Sequence, residues 1–328
     1  MHPFSYVRER SVDDAMRAHA GDPAAAYLAG GTELINWLKE GIALPSRLVD
    51  INRLPLAQIE VTPSGLRIGA LARMSDVAAH PAVRAGYPAL AEALERSASP
   101  QLRNMASMGG NLLQRTRCPY FRAESELPCN KRRPGSGCAA RYGLNRSHAI
   151  FGWSEACVAT HPSDAAVALC ALEAQVRIAG RGGERAIPIG DFYRLPGDTP
   201  QRETVLEHGE LIVAIDLPAT ARARRSWYHK VRERASYEFA LVSAAVALEL
   251  ADARIQEARI ALGGVAAVPW RLTAAERAIA GAPLERGPLM AVLATAFAEA
   301  RPLAHNAFKI ELAKRTLVQA LEIAGAMR

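Results

Sequence analysis

Cys118, Cys129, Cys138 and Cys157 are four of only five cysteines in a chain of 328 residues. The first three lie in one stretch, RCPYFRAESELPCNKRRPGSGCAARYG, residues 117–143. Intervening segments of 10, 8 and 18 residues separate the four, so none forms the close CxxC pair that structural zinc usually uses. Four thiolates on a flexible loop can hold an iron–sulfur cluster, in which each iron takes one sulfur and the loop sets the geometry. Zinc remains open, since soft thiolates suit both, and so does a set of free thiols. Arg117, Lys131, Arg132 and Arg133 crowd the same stretch and would offset the negative charge of a thiolate-bound centre. Cys170, in AAVALCALEA, falls on an apolar helical face and reads as a small core residue.

Two glycine-bearing segments offer a different chemistry: LAGGTEL (28–34) and SMGGNLL (107–113). Each follows a strand-like run. Gly30 and Gly31 allow backbone N–H groups to face a cavity, and a helix from Thr32 onward would present its positive end there. A pyrophosphate can be held this way without Lys or Arg. Gly109, Gly110 and Asn111 could form a second such turn. Neither is GxGxxG, and one Gly-Gly pair alone is usually an ordinary turn. Two of them beside a cysteine loop say more.

Elements of mixed type must position these groups. PFSYVRE reads as a strand. SVDDAMRAHAG follows as a helix with Ser11 as N-cap and Asp14 at the capping-box position. AAYLAGG is a strand entering the first glycine turn, and TELINWLKEG a helix closed by Gly41. PSRLVDIN and SGLRIGALAR are strands, PALAEALERSAS a helix. From about 115 to 157 this rhythm stops; a loop of that length inside a compact domain tends to be functional. HPSDAAVALCALEAQVRIAG restores a helix and a strand. From about 220 the chain reads as a three-strand meander and then as helices to its end, with a domain boundary near 220.

The formal net charge is +7, concentrated in two places. Residues 115–146 carry eight Lys/Arg against two Glu, and residues 221–234 six against one. Such local patches suit anionic groups bound at defined places better than a nucleic-acid face, although solvated loops give the same pattern. There is no run of 18 apolar residues, no signal-peptide pattern at the N-terminus and no disulfide framework.

Four segments in this order, YLAGGTELI, SMGGNLLQRTRCPY, ATHPSDAAVAL and YHKVRERASYEFALVSAAVAL, resemble the FAD-binding subunit of the xanthine dehydrogenase (molybdenum hydroxylase) family over essentially the whole chain. The cysteine pattern is similar to that of flavin subunits of periplasmic aldehyde oxidoreductases, which carry an extra [4Fe–4S] cluster. The flavin subunit of 4-hydroxybenzoyl-CoA reductase carries such an insert with different spacing. The resemblance implies an α+β fold: a two-lobed FAD-binding domain of the vanillyl-alcohol-oxidase (PCMH) type over 1–220, with an iron–sulfur insert at 115–157. A C-terminal domain of the CO-dehydrogenase-flavoprotein type, with a three-stranded antiparallel sheet and a helical bundle, would fill 221–328.

The implied activity is electron transfer for an enzyme oxidising aldehydes to carboxylic acids. A molybdenum-cofactor subunit and a [2Fe–2S] subunit would complete a heterotrimer that passes electrons to an external acceptor. No catalytic base is expected in this chain, and no nucleic acid or membrane as partner. The implied location is periplasmic by co-export with a partner subunit, otherwise cytoplasmic. By the same resemblance Ala26, Tyr27, Leu28, Ala29, Gly30, Gly31, Thr32, Glu33 and Leu34 wrap the pyrophosphate and ribityl chain of FAD. Met108, Gly110 and Asn111 form the second turn, where Met108 replaces the small hydroxyl residue common in the family. Arg117 sits between flavin and cluster, His161 and Asp164 line the cofactor site, and Lys230 approaches the isoalloxazine or the phosphates. Cys118, Cys129, Cys138 and Cys157 ligate the [4Fe–4S] cluster.

As residues alone, His161 suits a helix cap, Lys230 a solvated strand position and Asp164 a charge at a helix N-terminus. Two other readings stay open: a flavin and iron–sulfur subunit of a hydroxybenzoyl-CoA-reductase-like enzyme, and a zinc-stabilised basic protein that binds nucleic acid.

Overall fold

Three sheets organise the chain, and their differing character follows from their sequences. The computed structural model describes residues 2–327. Strands β1 (Ser5–Arg8), β2 (Ala25–Leu28) and β3 (Arg47–Asp50) form a parallel sheet in the order β1-β3-β2. Parallel neighbours need crossovers, and the helices Val12–Ala20 and Leu34–Lys39 supply them. Ser11 caps the first of these, its Oγ accepting the N–H of Asp14 at 3.1 Å. The second begins at Leu34, two residues later than the sequence suggests, because residues 30–33 are taken up by the glycine turn.

A second sheet pairs β4 (Ile59–Thr62), β5 (Gly65–Gly69), β6 (Gln175–Gly180), β7 (Gly183–Pro188) and β8 (Leu211–Pro218) in the order β4-β5-β8-β6-β7, all antiparallel. The sequence reading places no strand at β4, β7 or β8. β8, LIVAIDLP, is the central strand, so most of both its faces are buried. It reads as a continuous apolar run without the period-2 alternation of a half-exposed strand. The helices Pro88–Glu95 and Asp164–Ala171 share one core with this sheet, built around Ile68, Leu90, Leu169, Ile178 and Ile215. These two sheets form the two lobes.

The third sheet is the expected meander: β9 (Ser226–Val231), β10 (Val242–Ala251) and β11 (Arg254–Gly263) are antiparallel in sequence order. A two-residue fourth strand, β12 (Trp270–Arg271), adds to the three expected. The last helix, Phe308–Ala326, packs across β10 and β9. No helix among the described residues is long and apolar enough to cross a membrane.

The first lobe contains a pH-sensitive contact. His19 stacks on Tyr27, with ring centroids 4.0 Å apart, and lies 4.4 Å from the ring of His208. Burial, aided by His208, pulls its pKa from 6.5 down to about 4. Between those values the unfolded chain binds a proton at this position that the folded chain does not, so stability falls as pH falls through the window. His19→Asn is therefore expected to lose less thermal midpoint than the parent between about pH 6.5 and pH 5. Identical pH profiles in melting experiments would refute this.

Candidate functional site

A cavity of about 690 Å3 opens where the two lobes meet the loop between β9 and β10. Of the residues singled out for a cofactor, Ala26, Tyr27, Ala29, Gly30, Gly31, Thr32, Glu33, Leu34, Gly110, Asn111, Arg117, Asp164 and Lys230 all line it. Leu28, Met108 and His161 do not. Met108 is fully buried in the core of the second lobe, and its N–H is bonded to the Ala72 carbonyl at 3.0 Å. The hydroxyl at this turn comes instead from the neighbouring Ser107, which lines the cavity.

The first glycine turn has the geometry of an anion cradle. Among the described residues, the backbone N–H groups of Gly30, Gly31, Thr32 and Glu33 make no hydrogen bond to another protein group. Four successive free donors on a cavity wall suit a phosphate-bearing ligand. Gly31 has φ +74°, the left-handed region. At Gly30 an added Cβ would lie 1.8 Å from the Met105 carbonyl oxygen, so only glycine permits this approach. Arg73 fixes the junction by donating to Met105 O and to Asn52 Oδ1, and Asn52 in turn donates to Ala29 O at 2.9 Å.

The second segment is not a turn of this kind. Met108–Leu112 is a short helix capped by Ser107, preceded by another short helix, Pro100–Arg103, and not by a strand. The N–H groups of Gly109, Gly110 and Asn111 are bonded to Ala70 O, Ser107 Oγ and Ser107 O. Gly109 serves packing: a Cβ there would meet that of Ala70 at 3.0 Å.

A buried ion pair borders the same cavity. Lys230 Nζ lies 2.8 Å from Asp164 Oδ2, and both side chains are almost fully enclosed. Lys230 also donates to Arg96 O at 3.1 Å, Ser97 Oγ donates to Asp164 Oδ2 at 2.9 Å, and Tyr228 donates to Asp164 Oδ1. Lys230 is thus no solvated strand residue. Asp164 does open its helix, but Ser163, not His161, caps it, accepting the Ala166 N–H at 3.0 Å. Burial, then the Asp164 charge, hold the Tyr228 phenol protonated well above its ordinary range. Sequence reasoning missed Ser97, Tyr228 and Trp37, since no motif marks a partner of a buried charge.

The four cysteines line one small cavity together with Lys131, Asn130 and Phe121. Cys129 and Cys138 sit on backbone segments bridged to each other. All five cysteines are unpaired. Burial pushes Cys118 up to about 12 and Cys157 up to about 11, so these thiols need bound cationic metal to become thiolates. Among the described residues, no three His, Cys, Asp or Glu side chains are disposed to hold a single metal ion.

A further small cavity lies between the two sites. It touches Arg117 and Asp164, which also border the large cavity, and Cys118, which borders the cysteine cavity. His161 lines it, tilted against Tyr193 at 4.6 Å, with burial pulling its pKa down to about 4.

The basic excess of 115–146 is largely met by carboxylates. Arg117 and Arg122 pair with Glu33, Arg115 and Lys131 with Glu203, Arg141 with Glu155, and Arg146 with Glu233. Burial raises Glu203, but the Lys131 ammonium and the Arg115 guanidinium outweigh it and hold the carboxyl below its usual range. The patch therefore anchors the loop and is not a free anion-binding face.

Comparison with known proteins agrees with this geometry. Residues 2–220 match the family described as the FAD binding domain in molybdopterin dehydrogenase, and residues 227–324 the CO dehydrogenase flavoprotein C-terminal domain. The chain is 50% identical over 328 residues to the aldehyde oxidoreductase FAD-binding subunit PaoB of Escherichia coli, covering 99% of each. It is 28% identical to the glyceraldehyde dehydrogenase medium chain of Sulfolobus acidocaldarius, covering 87% of this chain and 84% of that one. Among solved structures, a carbon monoxide dehydrogenase from Hydrogenophaga pseudoflava lacking the Mo-pyranopterin moiety superposes with TM-score 0.76 at 28% identity, covering 99% of this chain and 98% of that one. The flavoprotein match displaces the nucleic-acid-binding alternative.

Removing one partner of the buried pair leaves the other charge uncompensated, which costs about 3–5 kcal/mol. Lys230→Met and Asp164→Asn are each expected to lower the denaturation midpoint accordingly. The double variant should be less destabilised than the sum of the two. Strict additivity in urea unfolding would show that the pair is not coupled.

Proposed function

The chain belongs to the FAD-binding subunits of the molybdopterin dehydrogenase (molybdenum hydroxylase) family, FAD-dependent oxidoreductases, and we propose that it serves an aldehyde oxidoreductase. In this reading it is the flavin and [4Fe–4S] electron-transfer subunit of a molybdenum enzyme that converts aldehydes to carboxylic acids. A molybdenum-cofactor subunit and a [2Fe–2S] subunit complete a heterotrimer that delivers electrons to an external acceptor. The identity with an aldehyde oxidoreductase subunit favours this over a hydroxybenzoyl-CoA-reductase-like enzyme. Residues 1–220, with the insert 115–157, form the flavin domain in this proposal, and residues 221–328 the second domain. Co-export with a partner subunit to the periplasm belongs to the same proposal.

The residues of the large cavity suit FAD. Gly30, Gly31, Thr32 and Glu33 would hold the pyrophosphate through their free N–H groups. Asp164 and Lys230 face the cavity as a neutral pair, so they can orient polar atoms of a ligand without adding net charge. Leu71, Met74 and Phe239 line the cavity as apolar surface and would exclude water from a ring system. FAD, when bound, exchanges electrons singly or in pairs and so joins one-electron centres to a wider range of acceptors.

The observation that carries the cluster reading is the convergence of Cys118, Cys129, Cys138 and Cys157 on one cavity. Thiols drawn from separated turns onto one cavity suit a [4Fe–4S] cube, in which each iron takes one sulfur. Lys131 lines the same cavity, and its charge favours the ionised form of Cys157. The test is the composition of this subunit after anaerobic co-expression with its partners and separation from them. Flavin with about four irons and matching sulfide per chain is expected. Cys129→Ser should then lose iron while keeping most of its flavin. Flavin without iron in the parent protein would overturn the cluster assignment.

A further inference from the structure

Several buried polar side chains outside the flavin cavity converge on one backbone turn. Asn145, Asn306 and Lys309 are 0% exposed and His148 is 2% exposed. Asn306 Nδ2 donates to the carbonyls of His148 and Ala149, both at 3.1 Å. Lys309 Nζ donates to the His148 carbonyl at 3.0 Å and to the Gly264 carbonyl at 2.7 Å. The His148 N–H is bonded to Asn145 O at 3.0 Å, and Asn145 Oδ1 accepts the His305 N–H at 3.0 Å.

Among the described residues Lys309 forms no ion pair; backbone carbonyls alone receive its ammonium. Burying such groups is costly even when each is bonded, and an apolar side chain at 309 would avoid that cost. What the turn presents is the His148 ring, whose Nε2 lies 3.2 Å from Cys118 Sγ.

We propose that His148 is a positioning residue for the cysteine centre: its Nε2–H donates to the Cys118 sulfur, and Asn306 and Lys309 hold the ring in place from the C-terminal domain. This rests on the reading of Cys118 as a cluster ligand. A ligand sulfur carries no proton, so the hydrogen of the contact belongs to Nε2. Nδ1 makes no hydrogen bond among the described residues and does not compete for it. Hydrogen bonds to ligand sulfurs favour the more negative, reduced state and raise a cluster's potential. The ring also fixes the direction in which Cys118 enters the cavity.

His148→Ala and His148→Gln in the co-expressed complex test this, because glutamine keeps an N–H donor. Iron and sulfide content of the parent subunit come first; a parent without the cluster sinks the underlying reading and not this contact alone. With the cluster present, a redox titration followed by electron paramagnetic resonance decides. The midpoint in His148→Ala is expected to shift to a more negative potential, with His148→Gln lying between it and the parent and flavin content unchanged. Lys309→Met should shift it the same way by a smaller step. Loss of the cluster in His148→Ala with retention in His148→Gln also supports the role. An unshifted midpoint in His148→Ala overturns it, and so does loss of the cluster in both His148 variants, since bulk and not the donor would then matter.

Discussion

The salt bridge between Lys230 and Asp164 is the contact on which the arrangement of the cavity depends. Lys230 comes from β9 of the C-terminal sheet, and Asp164 opens a helix packed in the second lobe. Arg96 O and Ser97 Oγ, at the end of a third element, complete the cluster. Each charge has been taken out of water, which Coulomb attraction offsets only when the remaining donors and acceptors are also bonded. Here they are: Lys230 reaches a carbonyl, and Asp164 accepts from Tyr228 and Ser97 as well. A misplaced element would leave a bare charge in a low-dielectric interior. The pair therefore fixes how the C-terminal sheet meets the flavin lobe, and it does so at the cavity wall.

The cavity wall at the first glycine turn is fixed by the absence of side chains. Gly30 lies against Met105 O in space that a methyl group would fill, and Arg73 clamps the same carbonyl. Asn52 carries the clamp back to Ala29, while Asp50 Oδ1 accepts from both the backbone and the side chain of Asn52. The turn thus keeps its N–H groups free because its carbonyls and its flanks are held by others. A polar wall built from backbone needs this kind of outside support.

Much of this was legible in the sequence, for identifiable reasons. Gly30 and Gly31 signal a turn because φ +74° at Gly31 excludes most other residues. The four cysteines signal a shared centre because they are nearly all the cysteines the chain has. SMGGNLL misled, because a Gly-Gly pair suggests a turn, whereas Ser107 three residues before Gly110 marks a helix cap. β8 was invisible to alternation because it is central. The partners of buried polar groups, such as Tyr228 and Asn306, sit 64 and 158 residues from the groups they serve. Local pattern carries no information about such distant partners.

The irregular segment 115–157 shows how a loop without strands or long helices can still be specified. Most of its arginines are paired with carboxylates: Arg115, Arg117, Arg122 and Arg146 reach Glu203, Glu33 and Glu233 outside the segment, and Arg141 reaches Glu155 within it. Glu33 is the decisive acceptor. It belongs to the first glycine turn and lines the large cavity, yet it receives Arg117, Arg122 and the indole N–H of Trp37. Arg117 immediately precedes Cys118, and Arg122, four residues after it, donates to Thr116 O. One carboxylate therefore ties the N–H cradle to the backbone that presents a cysteine. Because the link is made of half-buried, charge-assisted hydrogen bonds, it holds both ends to a narrow geometry. A displacement of the cysteine loop would be felt at the cradle through Glu33, and the two sites are mechanically one.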